Sequence, residues 1–130
     1  ATLCRDWIAE NHGSHASTFS GGPVVSAAAN ATVQTIQDED VPAHAAEIGD
    51  YLRSELEAAV GEDVRDVRGE GLLVGVEVKR GANRLLKDLA LNHGVLALPA
   101  GRSVLRLLPP LTVEREHVDA VVEAVAEVVK

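Results

Sequence analysis

From Pro23 onward the chain switches between two hydrophobic rhythms. Val25, Ala28, Ala29, Thr32 and Ile36 recur every three or four positions, which predicts a helix from 23 to about 37 opened by the proline. Its many alanines suit close packing, and Asp38-Glu39-Asp40 interrupts it. Val41, Ala45, Ile48, Leu52, Leu56 and Ala59 predict a second, amphipathic helix, with Pro42 near its first turn and Gly61 just past its end. Glu47, Asp50, Arg53 and Glu57 occupy its solvent face. At Val64 the period shortens to two. Residues 64–68 and 72–78 read as strands joined by Gly69-Glu70-Gly71. Ala82, Leu85, Leu86, Leu89 and Ala90 give a short helix that Gly94 should end. Residues 95–98 and 104–108 read as two more strands, the second stopped by Pro109-Pro110. Val118, Val121, Val122, Val125, Val128 and Val129 share one face of a closing helix. Thr112 is its expected N-cap, with Glu114 and Glu116 in the favourable first turn.

This order predicts an α+β fold, a small sheet with helices packed on one face. Ahead of Pro23, residues 1–4 read as a short strand, 5–8 as a turn of helix and 11–22 as a polar, glycine-rich loop. The chain begins without Met inside the expected strand, so it is expected to be a piece of something larger.

Composition changes the picture further. The 130 residues are one domain's worth, 46% apolar but only 2% aromatic, so the core must be aliphatic. A net charge of −8 argues against a nucleic-acid partner, which needs a basic face. No apolar run approaches the roughly 20 residues of a membrane span, and no signal peptide is visible. Cys4 is the only cysteine; it reads as core, excludes an internal disulfide and leaves a cytoplasmic location as the default. His12, His15, His44, His93 and His117 are scattered without acidic partners at ligand spacing, so no metal site is expected. The acid-rich, lysine-poor balance fits adaptation to high salt or a mildly acidic protein from an ordinary one.

Two stretches carry candidate chemistry. In His15-Ala16-Ser17-Thr18-Phe19-Ser20-Gly21-Gly22-Pro23 two hydroxyls and two glycines precede a helix. Hydroxyls and bare amides at a helix entry suit a phosphate, although an ordinary N-cap has the same composition. In Val104-Leu105-Arg106-Leu107-Leu108-Pro109-Pro110-Leu111 an arginine is set among aliphatic residues. A partly buried guanidinium needs a counter-charge, from a carboxylate elsewhere or from a ligand. Its planar fork suits a ligand carboxylate; the alternative is an edge-strand arginine facing solvent.

The first stretch resembles the His-Gly-Ser-Thr-Phe-Gly-Gly-Asn-Pro segment of class III, acetylornithine/ornithine-type aminotransferases, with Ala16, Ser20 and Gly22 as departures. Arg68-Gly69-Glu70-Gly71-Leu72-Leu73-Val74-Gly75-Val76-Glu77 resembles the Arg-Gly-x-Gly-Leu-x-x-Gly-x-Glu segment that opens that family's small domain. Its glycines are read as turn and packing residues without substrate contact. The Arg106 stretch resembles Val-Leu-Arg-x-x-Pro-Pro-Leu, and the likeness covers nearly the whole chain in order.

The resemblance implies the C-terminal portion of a fold-type I, pyridoxal-phosphate-dependent transferase. Residues 1–36 would be the end of the large cofactor-binding domain plus an interdomain helix, and 37–130 the small domain. Ser17 and Thr18 would hold the cofactor phosphate across a homodimer interface, and Arg106 the α-carboxylate of the substrate. The parent would move an amino group between an ω-amino donor (acetylornithine, or a carrier-protein-bound ornithine or lysine precursor) and 2-oxoglutarate, in arginine or lysine biosynthesis. In the family the Schiff-base lysine lies upstream of the His-x-Ser-Thr motif. Lys79, Lys87 and Lys130 do not fit that role, so this segment alone is expected to be inactive. A free-standing small-molecule-binding or dimerisation α+β domain without catalysis remains the rival.

Overall fold

The computed structural model describes Thr18 and residues 21–130. The expected strand at 1–4, the turn at 5–8, Cys4, His12, His15, Ser17 and most of the loop at 11–22 lie outside the described residues. Two compact units divide the chain, Ala1–Glu39 and Asp40–Lys130.

In the first unit, α1 (Pro23–Asp38) starts as the proline predicts, with Pro23 at the first turn and Gly22 as N-cap. Pro23 lacks the N–H that would have gone unpaired there. None of the helix's residues is buried, and Val24, Val25 and Val33 are more than half exposed. The alanine-rich face expected to pack closely stands open.

The second unit runs α2 (Val41–Val60), a 3-10 turn (Gly61–Asp63), β1 (Val64–Glu70), β2 (Leu73–Val78), α3 (Ala82–Asn92), β3 (Leu98–Ala100), β4 (Val104–Leu107) and α4 (Arg115–Val129). The four strands form one antiparallel sheet in the order β1-β2-β4-β3. Period-two alternation sends Val74, Val76, Val78, Leu105 and Leu107 to one face, where all are buried. They join Ile48, Leu52 and Leu56 of α2, Leu89 of α3, and Val118, Val122 and Val125 of α4 in the aliphatic core. Each such side chain contributes about 1.5–3 kcal/mol by leaving water. The opposite face carries Leu73, Gly75, Glu77, Val104 and Arg106, exposed or only partly buried.

The helices are tied together at the surface. The Tyr51 hydroxyl donates to Asp119 at 2.7 Å, Arg115 stacks 4.6 Å from the Tyr51 ring centre, and Arg115 Nη2 reaches Glu47 at 2.8 Å. His44 Nε2 lies 3.0 Å from the Val113 carbonyl oxygen, fixing the approach to α4.

Three local expectations change. β1 runs on to Glu70, because Gly69 still pairs with Val74 and Glu70 with Leu73. The reversal falls at Gly71, whose φ of +50° suits a residue without Cβ. Residues 95–97 are not strand. Leu98 pairs with Arg106, so 95–97 would have to pair with 107–109, and Pro109 has no N–H to donate. Thr112 does not cap α4: a turn from the Pro110 carbonyl to the Val113 N–H, at 3.0 Å, intervenes and Glu114 is the N-cap. Glu116 alone remains acidic in the first turn.

Candidate anion-binding site

Arg106 lies in the interior of the sheet, since β4 is flanked by β2 and β3. The edge-strand reading therefore does not apply. Its neighbours Leu105 and Leu107 point into the core, so alternation places Arg106 on the opposite face. There it is partly buried, and its Nε is sealed from solvent without a hydrogen-bond partner among the described residues. Among the described residues it takes part in no ion pair. An unsatisfied donor on a charged group costs on the order of 1–3 kcal/mol or more, which a bound anion would recover.

The row across the sheet reads Arg68, Gly75, Arg106, Leu98. Gly75 presents no side chain between the two arginines. The next row reads Asp66, Glu77, Val104, Ala100. Within these rows Arg68 Nη1 binds Asp66 Oδ2 at 2.6 Å and Glu77 Oε2 at 2.9 Å. Those hydrogen bonds, that to Asp66 foremost, hold the Arg68 pKa above its ordinary value. Arg65, at the irregularity between Val64 and Asp66, adds a looser contact to Glu77 at 3.8 Å. Two cations thus balance two carboxylates, and Arg106 stands beside them unneutralised. Sequence reasoning gave Gly75 and Glu77 no part in a site. Their alternation put them on one face, but only the β2–β4 register brings that face to Arg106.

Thr18 belongs to the other unit. It sits exposed in a turn ahead of α1, and Gly21, at φ +76°, has open space where a Cβ would stand. The N-terminus of α1 has no side-chain cap and no acidic residue in its first turn. A hydroxyl and uncapped amides form a donor set that fits a phosphate group. Ser17 lies outside the described residues.

The remaining candidates are quickly placed. Lys79, Lys87 and Lys130 are all exposed, and Lys79 donates to the Glu62 carbonyl. A cavity of about 490 Å³ opens on the helical side, lined by Leu52, Val95, Leu107, Pro109 and Val118 among others. It is mostly apolar, with Thr112 and His117 as its polar lining, and Arg106 is not among its lining residues.

A family model described as aminotransferase class-III matches residues 1–129. The acetylornithine aminotransferase of Methanosarcina mazei is 39% identical over 127 residues, covering 98% of this chain and 32% of that protein. Among solved structures, the ornithine aminotransferase of Plasmodium yoelii matches with a TM-score of 0.81 at 26% identity, over 91% of this chain and 32% of the other. That of Toxoplasma gondii, described with partial occupancy of PLP at its active site, matches with a TM-score of 0.80 at 27% identity, over 91% and 29%. The chain spans about a third of the length of these relatives.

Proposed function

The chain belongs to the class III aminotransferase family, and from that premise we propose that it is the C-terminal portion of a pyridoxal-phosphate-dependent transaminase. The parent exchanges an amino group between an ω-amino donor, of the acetylornithine or ornithine kind, and 2-oxoglutarate, in arginine or lysine biosynthesis. It works as a cytoplasmic homodimer. Residues 1–36 close the large domain and supply an interdomain helix, and 37–130 are the small domain.

Pyridoxal phosphate, when bound, supplies an electrophilic carbon and an electron sink. The roles of this chain's own residues are positional. Ser17 and Thr18 would hold the phosphate across the homodimer interface by hydroxyl hydrogen bonds, and the uncapped α1 terminus would favour its negative charge. Arg106 takes the α-carboxylate of glutamate or 2-oxoglutarate in its planar fork, which fixes the orientation of the reacting end. Proton transfer belongs to a lysine that none of Lys79, Lys87 and Lys130 can replace, because each is exposed rather than held in a water-excluded pocket.

The observation that carries this reading is the guanidinium of Arg106, partly buried on an interior strand with its Nε unpartnered. In the full-length enzyme, Arg106→Ala should raise the KM for glutamate about thirty-fold or more, since a lost bidentate charge pair costs about 2–4 kcal/mol. An unchanged KM removes Arg106 from the site.

A further inference from the structure

Glu77 stands between two arginines and binds one of them. Its cross-strand partners are Asp66 on β1 and Val104 on β4. One row along, Gly75 faces Arg68 on one side and Arg106 on the other. Glu77 is therefore diagonal to both arginines on the same sheet face, at the 7–8 Å spacing that long side chains span. Gly75 raises no side chain in between. The carboxylate is bound to Arg68 at 2.9 Å, while Arg106 has no carboxylate partner among the described residues.

We propose that Arg68, anchored by Asp66, is a positioning residue: it holds the Glu77 carboxylate away from Arg106 and so keeps the Arg106 fork open for an incoming carboxylate. The inference rests on Arg106 being the carboxylate clamp and adds what keeps Glu77 off it. A glutamate side chain only 27% exposed has good reason to be paired. With Arg68 gone, the cations it could turn to include Arg65, already at a loose 3.8 Å, and the diagonal Arg106. Pairing with Arg106 would make Glu77 an internal competitor of the substrate. Asp66 matters because it binds the same Arg68 nitrogen at 2.6 Å and fixes the guanidinium on the β1 side of Glu77.

The test is steady-state kinetics of the full-length, pyridoxal-phosphate-loaded enzyme. Arg68→Gln should raise the glutamate KM about five-fold with kcat little changed, the weight of one partly exposed ion pair. Adding Glu77→Gln to that variant should return KM to the starting value, a rescue that a purely structural role of Arg68 would not give. An unchanged KM in Arg68→Gln, or an equal rise in the double variant, overturns the proposal. Should Arg68→Gln fail to fold, Asp66→Asn decides, because it loosens the Arg68 guanidinium without removing it. It should raise the glutamate KM about two- to three-fold, a rise that adding Glu77→Gln should cancel. An unchanged KM in Asp66→Asn, or a rise that the double variant keeps, overturns the proposal. Arg106→Ala, run alongside, separates the two failures: no KM effect there ends the clamp reading itself, whereas a large effect there with a silent Arg68→Gln ends only the positioning role.

Discussion

Gly49, in the middle of α2, lies directly against Gly71 at the β1–β2 turn: a Cβ added at 49 would come within 2.7 Å of the Gly71 Cα and closer still to its carbonyl group. The helix and the turn touch backbone to backbone. Gly49→Ala should therefore destabilise the chain even though alanine is the better helix former by about 1 kcal/mol. Overpacking against rigid backbone costs about 1–3 kcal/mol and sometimes more, and the overlap with backbone atoms puts this site at the upper end, so a net loss of up to about 2 kcal/mol is expected. A urea unfolding midpoint that rises in Gly49→Ala would show that the contact gives way freely.

That contact bears on how much of the molecule the sequence discloses. Helices and strands follow from local periods, and their order alone implies a sheet covered on one side. The role of Gly71 at a turn was legible from Gly-Glu-Gly, but its partner Gly49 was not. A glycine amid helical spacing looks like a blemish until the element packed on it is known. Arg106 divides the same way. Its need for a counter-charge was legible from an arginine set among aliphatic residues, while the lack of an ion pair to it among the described residues depends on which strand lies next to β4. Register between strands joined by α3 is a tertiary property, set by how the inward Val76 and Leu105 meet across the sheet. Thr112 failed as a cap because the two prolines before it impose a turn that no local preference of threonine displaces.

The core rests on aliphatic side chains, with no aromatic among the buried hydrophobics of the described residues. Leu56 of α2 is fully buried amid the sheet and α4. Leu56→Ala should cost about 2–5 kcal/mol, the loss of transfer energy plus the cavity left behind. The drop should appear as a lower midpoint in urea with an unchanged m-value. A loss well under 1 kcal/mol would mean the surrounding valines close the gap.

Tyr51 offers a pH measurement, because it is the only tyrosine in the chain. Its hydrogen bond to Asp119, with smaller contributions from burial and from the carboxylate charges of Asp119 and Glu55, raises its pKa above 10.0, while Arg115 pulls the other way. The folded state thus favours the neutral phenol. Its stabilising contribution is present below the unfolded pKa and is lost as pH rises through the folded one. Tyrosinate absorbance should show a midpoint above that of a free tyrosine, and Asp119→Ala should lower it. Equal midpoints in the two proteins would mean that the Tyr51–Asp119 bond is not kept in solution.

The last prediction concerns what this segment does when isolated. Transamination on pyridoxal phosphate needs a lysine that bonds to the cofactor and then carries a proton, and such a lysine is tuned by a desolvated or cationic pocket. The three lysines here lie at a strand end, on the outer side of α3 and at the terminus, all exposed to water. The 130-residue chain mixed with pyridoxal phosphate, glutamate and an ω-amino acceptor aldehyde should give no turnover above cofactor alone. Adding a polypeptide that carries the remainder of the proposed transaminase should restore it, and Arg106→Ala in this segment should then weaken the restored reaction. Turnover by the segment alone would mean that one of its exposed lysines can do covalent work, and the division of labour argued for Arg106 and Thr18 would fall with it.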